Sequence, residues 1–338
     1  MSIDAARSGS DGALRQRLHA LLASQEQIVL AITLLLVVVF SVALSGFATV
    51  DNFLNLLRSI SILGILGLGL GMIVISRGID LSEVAIMAGS WSIALIEMQQ
   101  GMSAPLAIGV ALVIAVLIGC FNGFMVAFVE APPLFVTLAS AFVIYGAAFW
   151  FAPAWVVYAP KDSGVLTYLG AGRLLGVPVP ILVFLFCALV MHFFMSQTSI
   201  GRFIYGQGDN PEAARLTGIA LRPLIILEYA IVALLAWVAG WVWVGTTGSM
   251  QMAIAQGTMI FDVILVVVLG GISLVGGRGS VFSVVVGCML IGILLNAFTI
   301  MDVNSEVQNI IKGVVLLAAI ILDNFLHPRD EETARQGD

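Results

Sequence analysis

The sequence predicts an all-α, polytopic integral membrane protein, and three observations carry that prediction. The chain of 338 residues is 60% hydrophobic and only 10% charged, against about 25% charged residues in soluble domains, and its mean hydropathy is +1.10. Apolar runs of spanning length recur from end to end, with short broken or re-entrant segments among them. The basic residues fall almost entirely between those runs, with Lys312 the exception. Neither a basic patch nor aromatic–basic interleaving is present, so nucleic acid has no support as a partner and the lipid bilayer is the expected surroundings.

Three divisions follow. Residues 1–26 carry Arg7, Arg15 and Arg17 with Leu14, Leu18, Leu21 and Leu22 at helical spacing, the pattern of a short amphipathic helix on the cytoplasmic membrane surface. Residues 27–326 form the transmembrane region, and 327–338 a charged cytoplasmic tail. The first apolar run, Ile28–Leu44, has no small-x-small cleavage site and reads as a span, not a signal peptide. A polar break at Asp51–Ser59 precedes the second span, Ile60–Ser76, whose Gly64, Gly67, Gly69 and Gly71 offer a face for close packing. A third span ends near Ile96, and the fourth, Ala104–Val129, is stopped by Glu130-Ala131-Pro132-Pro133. Leu134–Ala152, Val179–Met195, Leu224–Val244, a short Met259–Leu269, Ser280–Phe298 and Val307–Phe325 bring the expected count to about ten. The Pro- and Gly-rich connection Pro153–Pro178 is expected to dip partly into the interface.

An even count with the amino terminus inside puts ten basic residues in the cytoplasm: Arg7, Arg15, Arg17, Arg77, Arg202, Arg215, Arg222, Arg278, Arg329 and Arg335. Only Arg58, Lys161 and Arg173 fall outside, the asymmetry that the positive-inside rule requires. The polar segment Gln197–Pro223 is then cytoplasmic. Within it Asn210 suits an N-cap, Pro211 the first helical position, Glu212 the positive helix end, and Gly218 a left-handed exit. A docking surface and a solvated connector would both look like this.

Gly78-Ile79-Asp80-Leu81 is echoed by Gly271-Ile272-Ser273-Leu274, each followed by apolar helix and later by a span-end asparagine, Asn122 or Asn296. Paired helix breaks of this kind mark the pathway in transporters built from repeats, although a four-residue match also arises by chance. The break glycines are Gly78, Gly270, Gly271, Gly276, Gly277 and Gly279. Asp262 sits in an apolar setting, where an ionised group costs about 2.5–3.5 kcal/mol; it either lines a cavity or bonds a neighbouring helix. Asp80, Asn122, Asp262 and Asn296 are the pathway candidates. Glu97, Glu130 and Glu228 are expected near an interface, Lys312 either snorkels or pairs with a carboxylate, and Trp241 and Trp243 belong to the outer aromatic belt. Cys120, Cys187 and Cys288 lie far apart in apolar runs and read as packing residues.

No Walker A sequence, nucleophile elbow or H-E-x-x-H is present, so this chain is expected to bind no cofactor, hold no metal and catalyse no reaction. The residues that remain resemble the permease subunits of bacterial ABC importers for monosaccharides, the ribose-type family that includes autoinducer permeases. Gly78-Ile79-Asp80-Leu81-Ser82 is similar to its G-I-D-L-S block, and Asn122-Gly123 with Pro132-Pro133-Leu134-Phe135-Val136-Thr137-Leu138 to its N-G…P-P-F-I-V-T-L block. The segment from Thr198 to Ile219 is the fullest match, and Asp262 with Gly270-Gly271 and Gly276-Gly277-Arg278-Gly279-Ser280 completes the set. Glu83-Val84-Ala85 departs from the family's small, Gly-containing continuation, and Ile260 stands where a Glu is frequent.

The resemblance implies a loop inserted into a groove of an ATP-binding subunit, through Arg202, Tyr205, Asn210, Glu212, Ala213, Ala214, Arg215 and Gly218. It also implies ATP and magnesium on that partner, a second permease copy or paralogue, and a periplasmic binding protein delivering a monosaccharide or related small polar solute. A rival reading is an ion-coupled secondary transporter with Asp80 and Asp262 as coupling carboxylates; a membrane-embedded enzyme lacks any catalytic constellation.

Overall fold

The computed structural model describes residues 25–160 and 164–326. The expected surface helix in 1–26 and the charged tail lie outside the described residues, apart from the last two positions of the former. Each of the ten expected spans is a helix. Seven described helices are long and apolar enough to cross a membrane: α1 (Gln25–Ala43), α2 (Val50–Ile75), α4 (Ala104–Ala127), α5 (Pro133–Phe151), α7 (Val179–Gln197), α10 (Leu221–Thr247) and α12 (Val281–Ile300). Helix α3 (Glu83–Gln99) and α13 (Ser305–Leu326) accompany them, and α11 (Met259–Gly270) is a shorter apolar helix. Between α5 and α7 lie β1 (Val156–Tyr158), α6 (Gly164–Ala171), β2 (Arg173–Leu174) and β3 (Val177–Pro178); α8 (Ser199–Asp209) and α9 (Pro211–Leu216) follow α7. After α10 come β4 (Ser249–Gln251) and a 3-10 turn, Met252–Gln256.

Helix α2 corrects the expected polar break at Asp51–Ser59. Thr49 caps it, accepting the Asn52 amide at 3.3 Å, and its 26 residues run without interruption. The polar side chains that suggested a break find partners on other elements: Arg58 donates to the Gly170 carbonyl at 3.0 Å and Asn52 to that of Phe47 at 2.9 Å. Polarity here reports what the helix faces, not where it ends.

Helices α2 and α3 form the centre, buried over most of their length, and α10 packs across both. Along α4, Ala107, Ala111, Ala115, Gly119, Gly123 and Ala127 recur every fourth residue and are all buried, a small-residue stripe that lets two backbones approach. A Cβ on Gly123 would stand 2.7 Å from the Ile226 Cα of α10. The apolar outer faces of α5, α7 and α13 are exposed, as lipid-facing surfaces are.

The all-α expectation needs one refinement. The described parts of the connection expected to dip into the interface carry short strands: β1 pairs antiparallel with β4, and β2 with β3 across Leu175 and Gly176, both at positive φ. Trp241 and Trp243 are half-buried, not belt residues. Trp241 packs against Trp91 and Trp237, with centroids 6.0 and 5.4 Å away, because α10 turns this face to α3 and Gly240 leaves room for the Trp91 indole. The three cysteines are free, with Cys187 and Cys288 buried.

Candidate functional site

The segment between α7 and α10 holds two helices where the sequence suggested one. Thr198 starts α8 by accepting the Gly201 amide at 3.0 Å, and Gly201, Ile204, Gln207 and Gly208 bury one face at three- and four-residue spacing. Those two signals were present in the sequence. Asn210 is extended and caps α9, accepting the Ala213 amide at 3.0 Å. Ala214 is buried, whereas Arg202, Glu212, Ala213, Arg215 and Leu216 are exposed. Gly218 lies at φ +89°, and the Ile219 amide reaches back to the Ala214 carbonyl at 3.2 Å while the Gly218 amide reaches Arg215 at 3.0 Å. That is a Schellman exit, which satisfies two carbonyls the short helix would leave orphaned.

Both helix breaks converge on the end of α8. The chain leaves α2 through Arg77, a non-glycine residue at φ +68°, a conformation costing about 1–2 kcal/mol. Its guanidinium holds it there, donating to the carbonyls of Gly208 and Asp209 at 2.6 Å each. From the second break, the Gly277 amide donates to the Ile75 carbonyl at 2.8 Å, and Tyr205 donates its hydroxyl to the Gly279 carbonyl at 2.9 Å. Gly271, Gly276, Gly277 and Gly279 all have positive φ; Gly270 does not, and packs instead on the Ser283 and Gly287 backbone. Gly78 closes the turn after α2, its amide on the Ile73 carbonyl at 2.8 Å. The four-residue echo is thus two breaks bonded to one another and to one helix.

The four pathway candidates separate into two pairs. Asp80 is fully buried and accepts the Ser82 amide at 2.8 Å and hydroxyl at 2.6 Å; Asn122 donates to that hydroxyl at 2.9 Å. This pair is a sealed brace at the first break. Glu83, the departure from the family pattern, is also fully buried, with Gly69 making room for its carboxyl. Asp262 and Asn296 instead line a cavity of about 670 Å³ with Asn52, Asn55, Ser59, Trp243, Thr258 and Thr299. Asn52 and Asn296 exchange amide hydrogen bonds, 2.9 Å in each direction. Sequence reasoning missed Asn52, Asn55 and Ser59 because they were taken for a break.

Lys312 pairs with a carboxylate: its ammonium lies 2.7 Å from Asp262 Oδ1 and 3.1 Å from Oδ2. Glu228 is buried among the helices beside the first break, where it accepts the Ser76 hydroxyl at 2.8 Å. Glu130 is exposed and pairs with Arg222 at 3.0 Å. Asn52 to Leu63 of α2 line the cavity and the converged breaks lie at its end, about 18 Å beyond the nearest lining residue at 1.5 Å rise per residue. Among the described residues no group of three or more His, Cys, Asp or Glu is placed to hold a metal.

A family model described as "Branched-chain amino acid transport system / permease component" matches residues 52–320, most of the chain. The ribose import permease protein RbsC of Escherichia coli (strain K12) is 31% identical over 301 residues, covering 88% of this chain and 94% of the relative. The fructose import permease protein FrcC of Rhizobium meliloti is 29% identical, covering 94% and 90%, and the xylose transport system permease protein XylH of Haemophilus influenzae 28%, covering 84% and 92%. No solved structure matches the chain. The extent of these matches, together with a bundle of apolar helices interrupted at two bonded breaks, shows that the chain belongs to the ribose-type family of ABC importer permeases, multi-pass subunits of the inner membrane.

Proposed function

We propose that this chain carries a monosaccharide or related small polar solute (a pentose, hexose, polyol or autoinducer) through the inner membrane, driven by ATP-binding subunits that dock on α8 and α9. The sugar class is supported by the relatives named for ribose, fructose and xylose, against the amino-acid wording of the family description. One observation carries the coupling role: α8 is bonded to both helix breaks, while the attached α9 turns Glu212, Arg215 and Leu216 outward. A push on α9 reaches the two breaks through backbone and guanidinium contacts, with no flexible chain between. ATP and magnesium sit on the partner subunit, a binding protein delivers the solute from the periplasm, and a second permease copy or paralogue completes the pathway. Residues 27–326 make ten spans, the short α3 and α11 included, with 1–26 and 327–338 on the cytoplasmic side.

Two variants test the coupling. Gly218→Val places a Cβ at a left-handed position, at a cost of about 1–2 kcal/mol, and tilts α9 without unfolding the bundle. Glu212→Lys reverses the charge at the start of α9 and on its exposed face. Each is expected to assemble normally and to lose ATPase stimulation by the loaded binding protein. Uptake that survives both, tracks an ion gradient and needs no ATPase subunit would establish the secondary transporter instead.

Orientation has its own test. With the outer membrane permeabilised, a membrane-impermeant maleimide is expected to spare Thr217→Cys beside α9 and to label Met301→Cys between α12 and α13, both positions being exposed. The reverse labelling pattern overturns the orientation, and with it the docking of ATP-binding subunits on α9.

A further inference from the structure

We infer that the cavity between α2, α11 and α12 is a transient binding station for an uncharged, polyhydroxylated solute, with specificity set inside the permease itself. The inference rests on the sugar-importer reading above. Its basis is the chemistry of the lining. Asn52, Asn55, Ser59, Thr258, Asn296 and Thr299 all carry groups that donate as well as accept hydrogen bonds, as sugar hydroxyls do. Leu56, Ile60, Trp243 and Met259 supply the apolar wall that a ring's C–H face requires. The volume, about 670 Å³, lies within the range of roughly 300–1,000 Å³ common to small-molecule sites.

Charge decides the class. Among the described residues Asp262 is the one charged side chain lining the cavity, and Lys312 already neutralises it from the α13 side at 2.7 Å. No unpaired cation faces the cavity among the described residues, so a phosphorylated or carboxylated solute would be desolvated without compensation. A zwitterionic amino acid would need both charges met at once.

The station is weak by construction. Asn52 and Asn296 satisfy one another when no solute is present, so hydroxyls entering there exchange hydrogen bonds instead of adding them. A pathway needs that property, since a solute held tightly would not leave.

The test uses the whole permease–ATPase complex in lipid nanodiscs, in a Cys120→Ala background. Ser59→Cys reports the cavity, and Gln100→Cys, exposed beyond the end of α3, is the control. The probes are D-ribose, D-xylose and D-fructose, with ribose 5-phosphate and L-leucine for comparison. At least one sugar is expected to slow alkylation of Ser59→Cys by N-ethylmaleimide several-fold, leaving Gln100→Cys unchanged, with neither comparison compound acting. Trp243→Ala is expected to raise the half-protecting sugar concentration on the order of tenfold, from loss of the aromatic wall. Protection by leucine or ribose 5-phosphate, or by no probe, overturns the station. ATP-driven uptake of the same sugars into vesicles is read in parallel. Uptake without protection removes the station and keeps the importer, whereas absence of ATP-driven uptake of these sugars and of a wider panel of pentoses, hexoses, polyols and autoinducers removes both.

Discussion

Gly208→Ala is expected to abolish ATP-driven uptake and the ATPase response to the binding protein, while Gly206→Ala, on the same helix, leaves both near normal. At Gly208 a Cβ would run into the Ile75 carbonyl oxygen and stand 2.7 Å from the Gly277 amide nitrogen. Both obstacles are backbone, and both belong to the breaks, so nothing nearby can turn aside. At Gly206 the same methyl would meet only Ile219 Cδ1 at 3.9 Å, ordinary contact. Overpacking of this kind costs about 1–3 kcal/mol, which shifts an equilibrium between seated and unseated α8 by roughly five- to 150-fold. The Arg77 bonds to the carbonyls of Gly208 and Asp209 would be displaced with the helix, releasing the strained turn they hold. Uptake and stimulated ATPase in reconstituted vesicles measure the effect. Equal behaviour of the two alanine variants would show that the end of α8 does not transmit motion to the breaks.

Lys312→Ala is expected to destabilise the protein by about 3–5 kcal/mol, the usual penalty for leaving one member of a buried ion pair without its partner. The side chains of Lys312 and Asp262 are only 15% and 14% exposed, so water does little to screen the carboxylate left behind. Removing both charges together, as in Asp262→Leu with Lys312→Met, is expected to recover most of that loss, because each charge's cost lies in its desolvation. Thermal denaturation of the purified subunit, run as a double-mutant cycle, gives the coupling directly. A neutral Lys312→Ala would mean the pair is solvated and that Asp262 offers the cavity a free negative charge.

Much of the architecture was legible because its signals are local. Apolar runs of spanning length marked every long helix, and Asn210, Pro211 and Gly218 marked both ends of α9, since caps and left-handed exits involve residues within one turn of one another. The breaks at Gly78 and Gly271 were legible for the same reason. Helix α8 escaped notice although its Thr198 cap and buried face were there to read, because a polar stretch between spans was taken as loop.

What only the tertiary structure decided is which polar groups meet. Asp80 and Asn122 resembled Asp262 and Asn296 in sequence: a carboxylate and a span-end amide in apolar surroundings. Packing sealed the first pair around Ser82 and opened the second onto a cavity with Asn52, Asn55 and Ser59, more than two hundred residues away in the chain. Lys312 found Asp262 across 50 positions, and Trp241 turned inward to Trp91. Composition and periodicity tell a chain where its helices run, because backbone hydrogen bonds close within four residues. The rotation of each helix about its axis is set by the helices beside it, and that rotation determines whether a polar side chain is a brace, a buried ion pair or the wall of a cavity.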